Sequence, residues 1–167
     1  MKRVFPYFLF LLFVLYFVVA HPSHACFERN PVTSFKNPLQ WGTLCIGSKN
    51  IYDFSDEKAE QIIIPANLYL PKNIKKPVPA IIMSHGAGGI MGFHHKYKRR
   101  FLEEGFAVLM IDHFRPRGKI LDNNFIDITA PMMISDTVAA YNILKEHPYI
   151  SDEIGYIGWS KGGIGTV

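Results

Sequence analysis

Residues 154–167 read "IGYIGWSKGGIGTV", an apolar run from Ile154 to Trp159 that leads directly into a serine set among glycines. Gly158, Ser160 and Gly162 make the pattern G-x-S-x-G. At a junction from a buried strand into a helix, this pattern has a mechanical meaning. A tight turn there strains the serine backbone and lifts its hydroxyl above the sheet. The residues two before and two after pass so close that a Cβ would clash, so both must be glycine. A helix expected from Lys161 onward would aim its first amides at negative charge forming beside the serine. The alternative is a glycine-rich connection carrying a solvated serine.

The pattern upstream is regular from about residue 61. "QIIIPANLYLPK" predicts a strand interrupted by Pro65 and therefore suited to a sheet edge. "VPAIIMS" and "AVLMI" are short continuous apolar runs, as in strands buried on both faces. "FHHKYKRRFLEEG" has Phe93, Tyr97, Phe101 and Leu102 at helical spacing, with Gly105 as a stop. "PMMISDTVAAYNILKEHP" predicts a helix with Ile134, Val138, Tyr141 and Leu144 on one face, ending at Pro148. "EIGYIGW" is a further buried strand. Alternating strands and helices predict an α/β fold, a parallel sheet covered on both faces. In such sheets chemistry gathers beyond the carboxyl ends of the strands.

A second glycine-rich loop lies at such an end. "HGAGGI", His85 to Ile90, follows "VPAIIMS" directly. Acyl transfer through a tetrahedral oxyanion needs backbone N–H donors from two directions. Lys161, the residue after the serine, supplies one. Ala87 is the candidate for the other, with Gly86 and Gly88 letting the backbone come close. His85 precedes this loop, a place where a histidine supports the loop by hydrogen bonding rather than acting as base.

"MSHGAGGI", "VLMIDHFRPRG" and "IGYIGWSKGG", in that order and spacing, resemble the α/β-hydrolase fold and, within it, the dienelactone hydrolase family and its exported relatives. The resemblance covers roughly residues 61 to 167. It implies a three-layer sandwich with a mostly parallel sheet, Ser160 as nucleophile, and Ala87 and Lys161 as the oxyanion hole. It also implies that the stretch from Asp112 borders the active site. Namesake members carry a cysteine nucleophile and an acidic residue just after the start of the oxyanion loop. In this chain those positions hold Ser160 and Gly86, so the resemblance implies a serine esterase acting on some other ester.

A serine hydroxyl needs a base to take its proton and a carboxylate to hold that base. In the resembling fold the chain order is serine, acid, histidine. The seven histidines and all the aspartates and glutamates precede Ser160. The expectation is that acid and base lie beyond residue 167, in an enzyme of roughly 250 residues truncated after the nucleophile elbow.

The N-terminal segment "MKRVFPYFLFLLFVLYFVVA" has two cations, an apolar run and small-residue exits, the signature of a secretory signal over residues 1–20. Val18 and Ala20 place the cut before His21; Ser23 and Ala25 place it before Cys26. An uncleaved membrane anchor and a lipid-modified Cys26 are the competing readings. Cys26 and Cys45 are the two cysteines, and in an exported chain they predict a disulfide that staples the N-terminal segment, residues 21–60, across "FERNPVTSFKNPLQWGTL", residues 27–44. That stretch carries little secondary-structure signal of its own. The expected location is secreted or periplasmic, or membrane-anchored if the segment stays.

Composition is ordinary for a globular chain, 49% apolar and 19% charged. A formal charge of +4, two of it from Lys2 and Arg3, is too mild to imply an acidic partner. "HHKYKRR", His94 to Arg100, reads as the solvated side of a helix rather than a metal or nucleic-acid patch. His113, Arg115 and Arg117 read either as contacts to an anionic substrate group or as a surface loop. Trp159 reads as packing. The expected function is therefore hydrolysis of carboxylic esters or related acyl bonds through an acyl-enzyme on Ser160, with no cofactor, no metal and no nucleic acid. The alternatives are a peptidase of the same fold, or a non-catalytic truncated or membrane-tethered protein.

Overall fold

Strand, helix and loop positions follow from which apolar runs are covered on one face and which on two. The computed structural model describes Cys26, residues 30–35 and residues 41–166. The expected signal segment, both cut positions and the anchor reading lie outside the described residues. No helix among the described residues is long and apolar enough to cross a membrane.

Five strands form one sheet: β1 (Gly42–Asn50), β2 (Glu60–Tyr69), β3 (Val78–Ser84), β4 (Ala107–Ile111) and β5 (Ile150–Gly158), in the order β1-β2-β4-β3-β5. β3 runs parallel to both β4 and β5, whereas β2 is antiparallel to β1 and β4. Helices α1 (Gly92–Glu103) and α2 (Ala130–Lys145) cover opposite faces. The run "AVLMI" shows why. Ala107, Leu109 and Ile111 pack with Ala140 and Leu144 of α2, while Val108 and Met110 pack towards Phe101 and Leu102 of α1. With both faces covered, every residue of β4 is buried and the alternation of a half-exposed strand disappears. The arrangement has three layers, a mixed sheet between two helices.

The sheet starts earlier than the expected boundary at residue 61. β1 begins at the end of the stretch that carried little signal, and it is the strand at that edge of the sheet. Cys26 and Cys45 form a disulfide with Cα atoms 5.4 Å apart, and the Val32 N–H donates to the Cys45 carbonyl at 2.8 Å. Val32 and Phe35 pack on the main core. The segment is thus pinned to the sheet rather than appended to it.

Pro65 does not mark an edge strand, because β2 has neighbours on both sides. The Pro65 carbonyl accepts the Asp112 N–H at 3.0 Å. A residue's N–H and C=O point to the same neighbour in a strand, so the donor proline lacks would have faced Asp112. The β2–β4 ladder ends at that point, and the chain from Asp112 is released into a loop. Proline here ends a ladder instead of protecting an edge.

The predicted face of α2 holds only at Leu144. Val138 and Tyr141 are exposed, and the buried residues are Met132, Met133, Asp136, Ala140 and Leu144. Apolar residues surround this helix, so periodicity had no clear stripe to find, and the inner face carries a carboxylate. β5 is only partly covered along its length, less than its apolar run suggests. After Ser160 the chain forms a 3-10 helix, Ser160–Thr166, in place of the expected α-helix.

Candidate active site

Three loops meet at the carboxyl ends of β3, β4 and β5, which are parallel and so end on the same edge. The first is the elbow after β5. Ser160 has φ 50°, in the left-handed region, and its residue is exposed. A non-glycine residue there is strained and persists only where its surroundings impose it. The surroundings are visible in the glycines. A Cβ on Gly162 would sit 2.6 Å from the His85 carbonyl oxygen and 2.7 Å from that of Ser84. One on Gly158 would sit 2.7 Å from the Gly163 nitrogen. Both are shorter than side chains tolerate, so the turn closes only with glycine at these two positions. The Trp159 N–H donates to the Ser84 carbonyl at 3.1 Å, and the Tyr156 hydroxyl donates to the Gly162 carbonyl at 2.5 Å. The elbow is therefore tied to the strand on each side of it.

The second loop is His85 to Ile90. A Cβ on Gly86 would lie 2.9 Å from the Trp159 carbonyl oxygen and 3.2 Å from the Ser160 Cβ, so this loop passes directly beside the serine. Ala87 follows Gly86, and its carbonyl accepts the Asp122 N–H at 2.9 Å. Gly88 contacts the Met91 side chain. His85 is buried, with Nδ1 2.8 Å from the Gly86 carbonyl oxygen and Nε2 accepting the His113 N–H at 3.2 Å. These partners fix a neutral ring with its proton on Nδ1. Burial, and then the nearby His113, push its pKa down from 6.5 to about 3. His85 braces the loop and has no nitrogen left for Ser160.

The third loop begins at Asp112. His113 is fully buried rather than on a surface. Its Nδ1 lies 2.8 Å from Asp136 Oδ2 and its Nε2 2.8 Å from the Ser84 hydroxyl. Arg117 donates from Nη1 and Nη2 to the two Asp136 oxygens at 2.7 and 3.0 Å, and from Nε to Asn50 at 2.8 Å. Ser48 donates to Asp136 at 2.5 Å. Burial alone would raise the Asp136 pKa, but the hydrogen bonds from His113 and Arg117 outweigh it and hold the carboxyl below its ordinary value. His113 and Arg117 are both spent on Asp136 inside the protein. Arg115 instead bonds Asp112 at 3.3 Å.

Two further groups escaped the sequence reading. The Lys161 ammonium is buried in an ion pair with the Asp122 carboxylate and donates to the Phe125 carbonyl at 3.0 Å. His94 was expected on the solvated side of its helix, yet it is buried. It accepts the Met91 N–H at 2.8 Å and stands edge-on to Trp159, ring centroids 4.7 Å apart. Burial lowers its pKa. Trp159 also meets Phe93 and Tyr97, so α1 packs against the residue before the serine. A lone carboxylate within "MMISDTVAA" was the available sign of a buried, partnered Asp136. His94 left no comparable sign. No cluster of metal-ligating residues occurs among the described residues.

An exposed serine on a strained strand-to-helix turn, flanked by a glycine-rich loop from a parallel neighbour, defines a protein of the α/β-hydrolase class. The sequence model of the dienelactone hydrolase family matches residues 64–167, and the chain belongs to that family. No curated protein sequence matches it significantly. Among solved structures it is similar to Est1E from Butyrivibrio proteoclasticus, with TM-score 0.53, 22% identity, and coverage of 73% of this chain and 42% of that one. The same protein with ferulic acid bound gives TM-score 0.52 and 28% identity over 61% of this chain and 41% of that one. The dienelactone hydrolase-like promiscuous phosphotriesterase P91 from metagenomic libraries gives TM-score 0.51 and 15% identity over 73% of this chain and 51% of that one. The chain thus spans roughly half or less of the length of these structures.

Proposed function

We propose that the protein is a serine hydrolase of carboxylic esters or related acyl bonds. Ser160 Oγ attacks the carbonyl carbon, the carbonyl electrons move to oxygen, and collapse of the adduct expels the alcohol to leave an acyl-enzyme that water then hydrolyses. The backbone N–H groups of Ala87 and Lys161 receive the oxyanion. In this reading the acid and the histidine base are supplied by sequence beyond residue 167, and His85 and His113, both committed to other partners, do not serve as the base. The observation that carries this reading is the left-handed backbone of Ser160 between two glycines whose Cβ space is filled by backbone. Est1E, 28% identical over the aligned part, holds ferulic acid, and a carboxylic acid is the product class this chemistry releases. The Cys26–Cys45 disulfide, together with the charge and apolar pattern of residues 1–20, supports an exported, secreted or periplasmic protein.

The test is hydrolysis of 4-nitrophenyl acetate by the complete polypeptide that carries this sequence, with and without Ser160→Ala. Loss of a nucleophile of this kind lowers turnover on the order of a million-fold. Undiminished hydrolysis by the Ser160→Ala protein would overturn the assignment.

A further inference from the structure

A cavity of about 300 Å³ lies beside Ser160, lined by Phe125, Ala130, Ser160, Lys161 and Ile164. That volume is at the small end for ligand pockets, which run from ~300 to ~1,000 Å³. One wall is the 3-10 segment from Ser160, Ala130 opens α2, and Phe125 comes from the loop between the 3-10 turn Arg115–Arg117 and α2. Several contacts fasten this loop down. Asp122 N–H donates to Ala87, and the Ile120 carbonyl lies so near Gly89 (φ +74°) that a Cβ there would be 2.6 Å away. Lys119 and Asp127 pair at 2.6 Å, and Ile128 packs with Phe114, Met132 and Met133.

Phe125 is the unusual member. Its backbone has φ 62°, which a non-glycine residue adopts only under constraint. The constraint comes from its N–H donating to the Asp122 carbonyl at 3.3 Å and its own carbonyl accepting from Lys161 Nζ. The residue held in this way remains 60% exposed, a poor use of a strained position unless something packs on it. Ile120, Leu121 and Ile126 on the same loop are exposed too.

Charge at the site points the same way. Lys161 is the cationic residue of the cavity lining, and its ammonium is committed to Asp122 and Phe125. Asp122 Oδ1 is buried with no hydrogen-bond partner among the described residues. Phe125, Ala130 and Ile164 make up the apolar rest of the described lining, so an anionic group in the cavity would be desolvated with no free cation among these residues to receive it.

We infer that this cavity receives the acyl group of the ester and selects uncharged, apolar acyl groups, with Phe125 as the specificity-determining side chain. The Lys161–Asp122 pair is the positioning device that fixes the Phe125 wall relative to Ser160. The inference rests on Ser160 being the nucleophile.

Two esters with the same leaving group and acyl chains of similar length separate the cases: 4-nitrophenyl butyrate, and the 4-nitrophenyl monoester of succinic acid, whose acyl end is a carboxylate. The complete polypeptide is expected to favour butyrate at least tenfold in kcat/KM. Phe125→Ala is expected to shrink that preference at least threefold, mainly by raising KM for butyrate. Asp122→Asn, which releases the Lys161 ammonium from its carboxylate, is expected to shrink it by raising activity on the succinyl ester. Thermal melting followed by circular dichroism checks each variant, and Ile164→Ala replaces Phe125→Ala if the latter does not fold. Ser160-dependent hydrolysis that is equal on the two esters, or better on the succinyl one, overturns this inference and leaves the serine hydrolase reading intact. So does a butyrate preference unmoved by both Phe125→Ala (or Ile164→Ala in its place) and Asp122→Asn. If neither ester is hydrolysed in a Ser160-dependent way, the reading beneath it fails and this inference falls with it.

Discussion

His113 Nε2 lies 2.8 Å from the Ser84 hydroxyl, while its Nδ1 lies 2.8 Å from Asp136. These are the distances of a working Ser-His-Asp triad, built on a serine that is not Ser160. All three side chains are buried, and Arg117 neutralises the carboxylate that a catalytic histidine would need for itself. With Nδ1 on the Asp136 carboxylate and Nε2 on the Ser84 hydroxyl, the ring is a brace between the ends of β3 and β4. A fluorophosphonate probe should therefore label Ser160 and leave Ser84 unmodified, as read by peptide mass spectrometry. Ser84→Ala should leave that labelling in place while costing about 1–3 kcal/mol of stability, because it orphans a buried ring nitrogen. Labelling at Ser84 would show that the buried constellation is accessible and chemically active.

Asp136 and Arg117 make the strongest test of what holds the third loop. Removing one partner of a buried, fully bonded pair leaves an uncompensated charge, at a cost of about 3–5 kcal/mol. Arg117→Met should lose that much in a urea titration. Arg117→Lys should recover only part of it, since an ammonium cannot bond both Asp136 oxygens and Asn50 at once. Equal stability of the lysine variant and the unaltered protein would refute the role given to the two-pronged contact.

The sequence displayed those features whose cause is local. The elbow was legible because Gly158, Ser160 and Gly162 lie within five residues and their spacing is dictated by one turn. β4 was legible because burial on both faces makes all five residues apolar. The network around Asp136 was not, because its partners arrive from far along the chain: Ser48 is 88 residues away and His113 is 23. A carboxylate on the inner face of α2 then disguised that face. Pro65 misled because its usual meaning concerns edges, whereas here it ends one ladder inside the sheet. The Lys161–Asp122 pair spans 39 residues and was hidden by a backbone role assigned to the same lysine.

Gly162 tests the elbow by volume alone. Alanine there would place a Cβ 2.6 and 2.7 Å from two backbone oxygens at the end of β3, and neither belongs to a flexible side-chain tip. The elbow and the loop carrying Ala87 must then move apart, and a misplacement on the order of 1 Å costs about 100-fold in rate. Gly162→Ala should thus lose about that much ester hydrolysis together with a lower melting temperature. At Gly163 the closest atom is the Gly158 carbonyl oxygen at 3.4 Å, an ordinary contact, so Gly163→Ala should change both far less. If the two alanine variants behaved alike, close packing at the elbow would not be what demands glycine.

Acid should destabilise the fold well before its carboxylates titrate, and His85 gives the sign. Its pKa is about 3 in the folded protein, against an ordinary value of 6.5 when exposed. As pH falls below 6.5 the unfolded chain takes up this proton and the folded chain does not, so the unfolded state gains. The stabilisation from a neutral His85 is complete above pH 6.5 and is lost progressively down to about pH 3, at roughly 1.4 kcal/mol per pH unit. Between pH 7.5 and 5, this single group should remove about 2 kcal/mol. His94, whose pKa burial also lowers, adds a loss of the same sign. Asp136 contributes later, because a carboxyl held below its ordinary 3.8 loses its stabilisation only as pH falls beneath that value. Urea midpoints measured across pH 4–8 should therefore decline through the histidine range. His85→Asn should lower stability at pH 7.5, where the neutral ring bonds Gly86 and His113, yet flatten the decline below pH 6.5. A decline of unchanged steepness in that variant would mean that His85 already carries a proton in the folded state, and the tautomer assigned from its two partners would have to be abandoned.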